Sequence, residues 1–178
     1  ESKMQNSKSK PTSPVADAGR FFIFHFSFFI VLALAITSLA SAKDGVTYAG
    51  RGGAGEGKHI VFLSGDEEYR SEEGLPMLAK LLATRHGFKC TVLFAIDPAD
   101  GTINPQIKDN IPGLEALESA DLLVAFFRWR ELPDEQMKRI IDYTESGRPI
   151  VGIRNATHPF KYVKRPGSPY ARFDSTSK

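Results

Sequence analysis

The stretch "RNATH", residues 154–158, sets a guanidinium, an amide, a hydroxyl and an imidazole directly behind the apolar run Ile150–Ile153. An imidazole in such a place can shuttle protons or bind a metal, because histidine titrates near neutrality. A guanidinium can fix a substrate oxygen or orient a carboxylate through its rigid fork of donors. Two further stretches are equally dense in reactive groups: "GDEEYRSEE" supplies Asp66, Glu67, Glu68, Tyr69 and Arg70, and "RWRE" supplies Arg128 and Trp129. Acid and base work needs paired proton-transfer groups, and His158 with Asp66 or Glu67 offers such a pair. Each residue also has a plainer role. Asp66, Glu67 and Glu68 suit a solvated acidic loop or the positive start of a helix. Arg128 and Arg130 suit surface ion pairs with Glu131 and Asp134, Trp129 can pack against a sheet, and His158 can be a hydrogen-bonded structural residue. A histidine and a carboxylate oxygen also suit Zn²⁺ or Mn²⁺, although no HxH or HExxH spacing makes a metal specific.

These stretches need a scaffold, and the pattern from Lys58 onward supplies one. "HIVFLSG", "FKCTVLFAI", "DLLVAFF" and "PIVGI" are short continuous apolar runs of the kind buried on both faces of a parallel sheet. They predict neighbouring parallel strands over residues 60–64, 89–96, 121–127 and 149–154. Between the first two, "SEEGLPMLAKLLATRHG" places Leu75, Leu78 and Leu82 on one helical face, with Ser71 as cap and Gly87 as stop. "LPDEQMKRIIDYTESG" predicts a second helix, opened by Pro133, Asp134 and Glu135, closed by Gly147 and buried along Met137, Ile140 and Ile141. "GLEALESA" suits a short helix, and Asp97 to Pro112 reads as loop. Strand and helix alternate, which favours an α/β fold with a parallel sheet covered on both faces. Such sheets bind ligands beyond the carboxyl ends of their strands, where strand order reverses. The three reactive stretches follow the first, third and fourth strands, while the opposite ends carry blander segments such as "HGFK" and "SGRP".

Taken together, "FLSGDEEYRSEEGLPMLAKLL", "FFRWRELPDEQ" and "PIVGIRNATHPF" resemble the ThuA-like (trehalose utilisation) family, in particular its exported bacterial members. The resemblance covers Lys58 to the end. It implies a flavodoxin-like, doubly wound parallel sheet of the class I glutamine amidotransferase-like kind and a link to carbohydrate metabolism. Amidotransferases place a cysteine nucleophile after the fourth strand; here Asn155 and Ala156 stand there, so active amidotransfer is not expected. On this reading the ligand is a small carbohydrate or sugar derivative. His158, Asp66 and Glu67 form the catalytic set for a hydrolytic or eliminative reaction on a glycoside or keto-sugar. Glu68, Tyr69, Arg70, Arg128, Trp129, Arg154, Asn155 and Thr157 bind the substrate, Trp129 as a platform for the sugar ring. The alternative is a carbohydrate-binding or scaffolding domain that has kept the fold and lost the chemistry.

The remaining sequence bounds these readings. With 178 residues, the length fits one ordinary domain, and a formal charge of +2 from interspersed acids and bases gives no reason to expect nucleic acid as a partner. Cys90 is the single cysteine, so no intramolecular disulfide forms, and its strand-like setting reads as a small buried apolar residue. Residues 43–57, rich in glycine, read as a flexible linker between residues 1–42 and the α/β domain at 58–178. "GGAGEGKH", residues 52–59, has the spacing of a phosphate-binding loop, but His59 replaces the required Ser or Thr and the glycines precede the first strand. A start at Glu1 and a stop within a polar stretch suggest a fragment, with further strands and site residues expected beyond Lys178. Lys3, Lys8, Lys10 and Arg20 precede the apolar run 21–42, which ends in Ala-Ser-Ala. This describes a secretory signal cleaved after Ala42, or otherwise an uncleaved anchor, the only membrane contact expected. Either places the domain in the periplasm or outside the cell. Mass spectrometry of the protein from a secreting host is expected to find Lys43 first; a mature chain retaining Phe21 to Ile36 would show an anchor instead.

Overall fold

A computed structural model describes residues 45–177. The signal or anchor reading falls on residues 1–42, outside the described residues. Among the described residues no helix is long and apolar enough to cross a membrane. The architecture is α/β: a five-stranded, mostly parallel sheet with helices on both faces. Strand β1 is Val46–Tyr48, β2 His59–Gly65, β3 Lys89–Phe94, β4 Leu122–Phe127 and β5 Ile150–Gly152. The order across the sheet is β1-β3-β2-β4-β5. β3, β2, β4 and β5 are parallel neighbours, in register Ile60 with Cys90, Ile60 with Leu122 and Leu123 with Ile150. Every residue of β2 is buried, as expected for a central strand covered on both faces.

Helix α1, Ser71–His86, packs on one face through Leu75, Ala79 and Ala83 against Phe62, Val92 and Phe94. Helix α2, Asp134–Glu145, packs on the other through Met137, Ile140 and Tyr143, beside Leu63, Leu93 and Leu123. The face of α1 is rotated from the leucine stripe read in the sequence: Leu75 is 1 % exposed, but Leu78 is 36 % exposed. The small side chains of Ala79 and Ala83 let the helix lie close to the sheet, so alanines take the inner positions. Ser71 does not cap α1. Its hydroxyl instead accepts from the Asp66 amide at 2.9 Å and bonds the Ser64 hydroxyl. Gly87 stops the helix in the left-handed conformation, its N–H reaching the Ala83 carbonyl. Gly113–Ala120 includes a 3-10 helix, Leu114–Ser119, which seats Leu114 and Leu117 in the core.

The stretch read as a flexible linker is part of the sheet. β1 pairs antiparallel with β3, Thr47 opposite Thr91, and the glycines beyond it lie against the end of α1. A Cβ on Gly50 would meet the Gly87 carbonyl carbon at 2.2 Å, and one on Gly87 would meet the Gly52 carbonyl oxygen at 1.6 Å. Here glycine permits close backbone approach rather than flexibility. Gly50→Ala should therefore cost about 1–3 kcal/mol, the usual cost of overpacking. A denaturation midpoint equal to that of the unsubstituted protein would restore the linker reading.

Candidate functional site

The loops after β2, β4 and β5 converge above the middle of the sheet. Strand order changes direction between β2 and β4, and Glu67 at the end of β2 meets Arg128 at the end of β4 in that gap. The Arg128 guanidinium lies 3.2 Å from Glu67 and 2.5 Å from Glu68. Arg130, fully buried, reaches Glu67 at 3.1 Å and also donates to the carbonyls of Arg128, Pro105 and Ile107. Lys108 adds a contact to Glu67 at 2.6 Å. One carboxylate thus joins three cations from two other loops. Asn155, behind β5, extends the network by donating to Glu68 at 3.0 Å.

The electrostatics follow from burial and pairing. Desolvation pushes the Glu67 carboxyl up, but bonds from Lys108 and Arg128 outweigh it and hold the group below the ordinary glutamate value. Burial lowers Arg130 to about 10 against the opposing charges of Glu67 and Asp66, so it remains charged at neutral pH. Lys108 is lowered by desolvation, which its bond to Glu67 only partly offsets. A carboxylate held ionised in this way suits positioning rather than proton transfer. Asp66 lies deeper still, fully buried, with one oxygen accepting from the amides of Glu68 and Tyr69 at 2.9 and 3.1 Å. Its other oxygen is buried without a hydrogen-bond partner. Asp66 shapes the turn into α1.

The expected pairing of His158 with Asp66 or Glu67 is not made. The His158 ring bonds the Thr157 hydroxyl at 3.2 Å and packs beside Trp129, their ring centroids 5.9 Å apart. Glu68, with 46 % of its side chain exposed, is the carboxylate of the three that opens to solvent. Tyr69 and Arg154 form a second stacked pair, with the guanidinium carbon 3.8 Å from the ring centroid. Arg70 turns away and pairs with Glu73 along α1. Arg128 and Arg130 do not pair with Glu131 and Asp134. Glu131 instead accepts from the Arg165 amide at 2.5 Å, and Asp134 from the Ser168 hydroxyl at 2.7 Å. Among the described residues no three His, Cys, Asp or Glu side chains converge to hold a metal ion. The candidate donors do not fit Zn²⁺ or Mn²⁺, because Glu67 is committed to cations and His158 makes no contact with a carboxylate among the described residues.

Backbone strain marks the same ends. Arg70, Trp129 and Arg154 adopt left-handed φ values of 52°, 51° and 51°. Each costs on the order of 1 kcal/mol for a non-glycine residue and persists where its surroundings enforce it. One lies in each of the three converging loops. The nearest pairing that enforces them joins the β4 and β5 loops: Trp129 and Arg130 donate to the carbonyls of His158 and Pro159, and Lys161 to that of Arg130. Arg154 occupies the turn itself, as the first residue of the 3-10 helix Arg154–Thr157, one position ahead of the Asn155 and Ala156 weighed from sequence.

Sequence reasoning missed Lys108 and placed Arg130 at the surface. Nothing in "QIKDN" marks a lysine that folds back over the sheet; the one available signal was two arginines flanking Trp129 at the end of an apolar strand. A separate cavity of about 260 Å³ lies by the opposite ends of β2 and β3, lined by His59, Thr47, Thr91 and Ser119 among others. Both ring nitrogens of His59 are engaged there, by Ser119 at 3.0 Å and Thr91 at 2.9 Å, so the residue is structural. No protein-family model, curated protein or solved structure matches the chain.

Removing the charge of Glu67 leaves three cations, one of them fully buried, without their shared counter-charge. Glu67→Gln should cost about 3–5 kcal/mol near neutral pH. Because the folded carboxyl lies below its ordinary value of 4.5, this contribution is complete above that value and lost as pH falls through the lower folded one. The gap in thermal midpoint between the protein and Glu67→Gln should close as acid is added; a gap independent of pH would refute the ion-pair account.

Proposed function

We propose that this chain is an exported ThuA-like domain that binds a sugar or sugar derivative on the shelf formed by the loops after β2, β4 and β5, and acts on it without a cysteine nucleophile. The single observation that carries the reading is the convergence of those loops, each with one strained residue, at the point where strand order reverses. The inner parallel order, with the first of the four strands between the second and third, is compatible with the flavodoxin-like arrangement of amidotransferase relatives. Trp129, 39 % exposed, supplies an aromatic surface for the apolar face of a sugar ring. Asn155 and Thr157 supply polar contacts beside it. His158 and Glu68 are the proton-transfer groups that open to the shelf, in place of the buried Asp66 and the ion-paired Glu67.

A second reading, binding without turnover, is favoured by the commitment of Glu67 and Glu68 to ion pairs. Trp129 is the sole tryptophan, so its fluorescence reports on the shelf. A panel of glycosides and keto-sugars should include ligands that change this emission and are converted to product. His158→Ala should abolish conversion, with at least about a hundredfold loss for a general acid or base, while the ligand still binds. Emission change without product from any member would select the binding reading. A panel that neither binds nor reacts would reject both.

A further inference from the structure

The cations around the shelf divide into two sets. Lys108, Arg128 and Arg130 are neutralised by Glu67 and Glu68, and Arg70 by Glu73. Arg154 and Lys161, both exposed, make no direct ion pair among the described residues, although the charge of Lys161 is near enough to help lower the Asp174 carboxyl. Each stands against an aromatic ring instead. The Arg154 guanidinium lies over Tyr69 at 3.8 Å, and the Lys161 ammonium lies 5.6 Å from the Trp129 ring centroid. Stacking restrains a long side chain without using its N–H donors. The Arg154 side chain donates to no acceptor among the described residues, although its backbone is held at a strained φ of 51°. Glu68, the exposed carboxylate nearby, is already met by Arg128 and Asn155. Arg154 therefore presents a pre-positioned positive charge over Tyr69, and Lys161 adds a second beside Trp129, whose ring the Arg128 guanidinium also overlies at 4.3 Å.

From this we infer that the ligand of the shelf is an acidic sugar, one carrying a carboxylate or phosphate that Arg154 and Lys161 receive while the ring lies against Trp129. This rests on the sugar-binding reading and narrows it. A planar guanidinium with free donors matches two oxygens of either anion at once, a charge-assisted contact stronger than the hydrogen bonds a neutral hydroxyl offers.

The test uses the purified chain, Trp129 emission and titration calorimetry, with four probes: glucose, glucuronate, glucose 6-phosphate and inorganic phosphate. Glucuronate or glucose 6-phosphate should bind at least about tenfold tighter than glucose, the scale of one charge-assisted contact. The tighter of the two identifies the anion as carboxylate or phosphate. Arg154→Gln should remove most of that preference, Lys161→Gln should reduce it, and raised salt should weaken the acidic probe more than glucose. Glucose binding as tightly as both acidic sugars would overturn the inference and leave the sugar-binding reading intact. Inorganic phosphate binding as tightly as the acidic sugars would overturn it by showing a bare anion site. No binding of any probe by either method would overturn the inference and the underlying reading together.

Discussion

The compensation of one buried carboxylate organises the upper half of this molecule. Glu67 sits at the end of the central strand with its side chain 10 % exposed, and such a charge is tolerated only when partnered. Its partners arrive from the loop after β4, as Arg128 and Arg130, and from the irregular segment between β3 and the 3-10 helix, as Lys108. Arg130 then spends its remaining donors on the carbonyls of Pro105 and Ile107. A segment without regular structure is thereby pinned to the sheet. Burying an arginine is itself costly, and here the backbone acceptors and Glu67 together offset that cost.

From this anchor the shelf is built outward. Arg128 bridges Glu67 to Glu68, Asn155 closes on Glu68, and the backbone pairing of Trp129 and Arg130 with His158 and Pro159 fixes the β4 and β5 loops side by side. Loops locked to one another in this way can hold residues at φ values they would not adopt alone. The exposed groups Tyr69, Trp129 and Arg154, with the half-buried His158, are thus presented on a rigid support. Preorganisation of this kind lowers the entropic cost of binding a small ligand.

At the opposite end of the sheet, glycine and hydroxyl groups carry out a different task. Gly50, Gly53 and Gly87 allow the chain before β2 to pass within contact of the end of α1. His59 is buried between Ser119 and Thr91, and Thr91 continues to Thr47 at 3.1 Å. This small polar network fastens β1, β3, β2 and the 3-10 helix together. It explains why a glycine-rich stretch that looks like a tether is instead an ordered edge.

The sequence by itself determined the four parallel strands, the two helices and the ends of the sheet that carry polar loops. These depend on local apolar runs, helical periodicity and capping residues; burial on both faces fixes β2, β3 and β4, whereas β5, read from sequence as buried, is an exposed edge strand. It also sufficed to bring Glu67, Glu68, Arg128 and Asn155 into one neighbourhood, because loops after adjacent parallel strands share one edge. Only the tertiary structure decided which charges pair. A guanidinium followed by a glutamate in "RWRE" looks self-sufficient, yet Arg130 is drawn inward by a carboxylate more than sixty residues away. Likewise β1 and the inner face of α1 depend on how closely two backbones approach, and that is set by small residues on both partners. Periodicity records which positions are apolar; it does not record that Ala79 and Ala83 outcompete Leu78 for the sheet, because closeness of packing is a property of the pair.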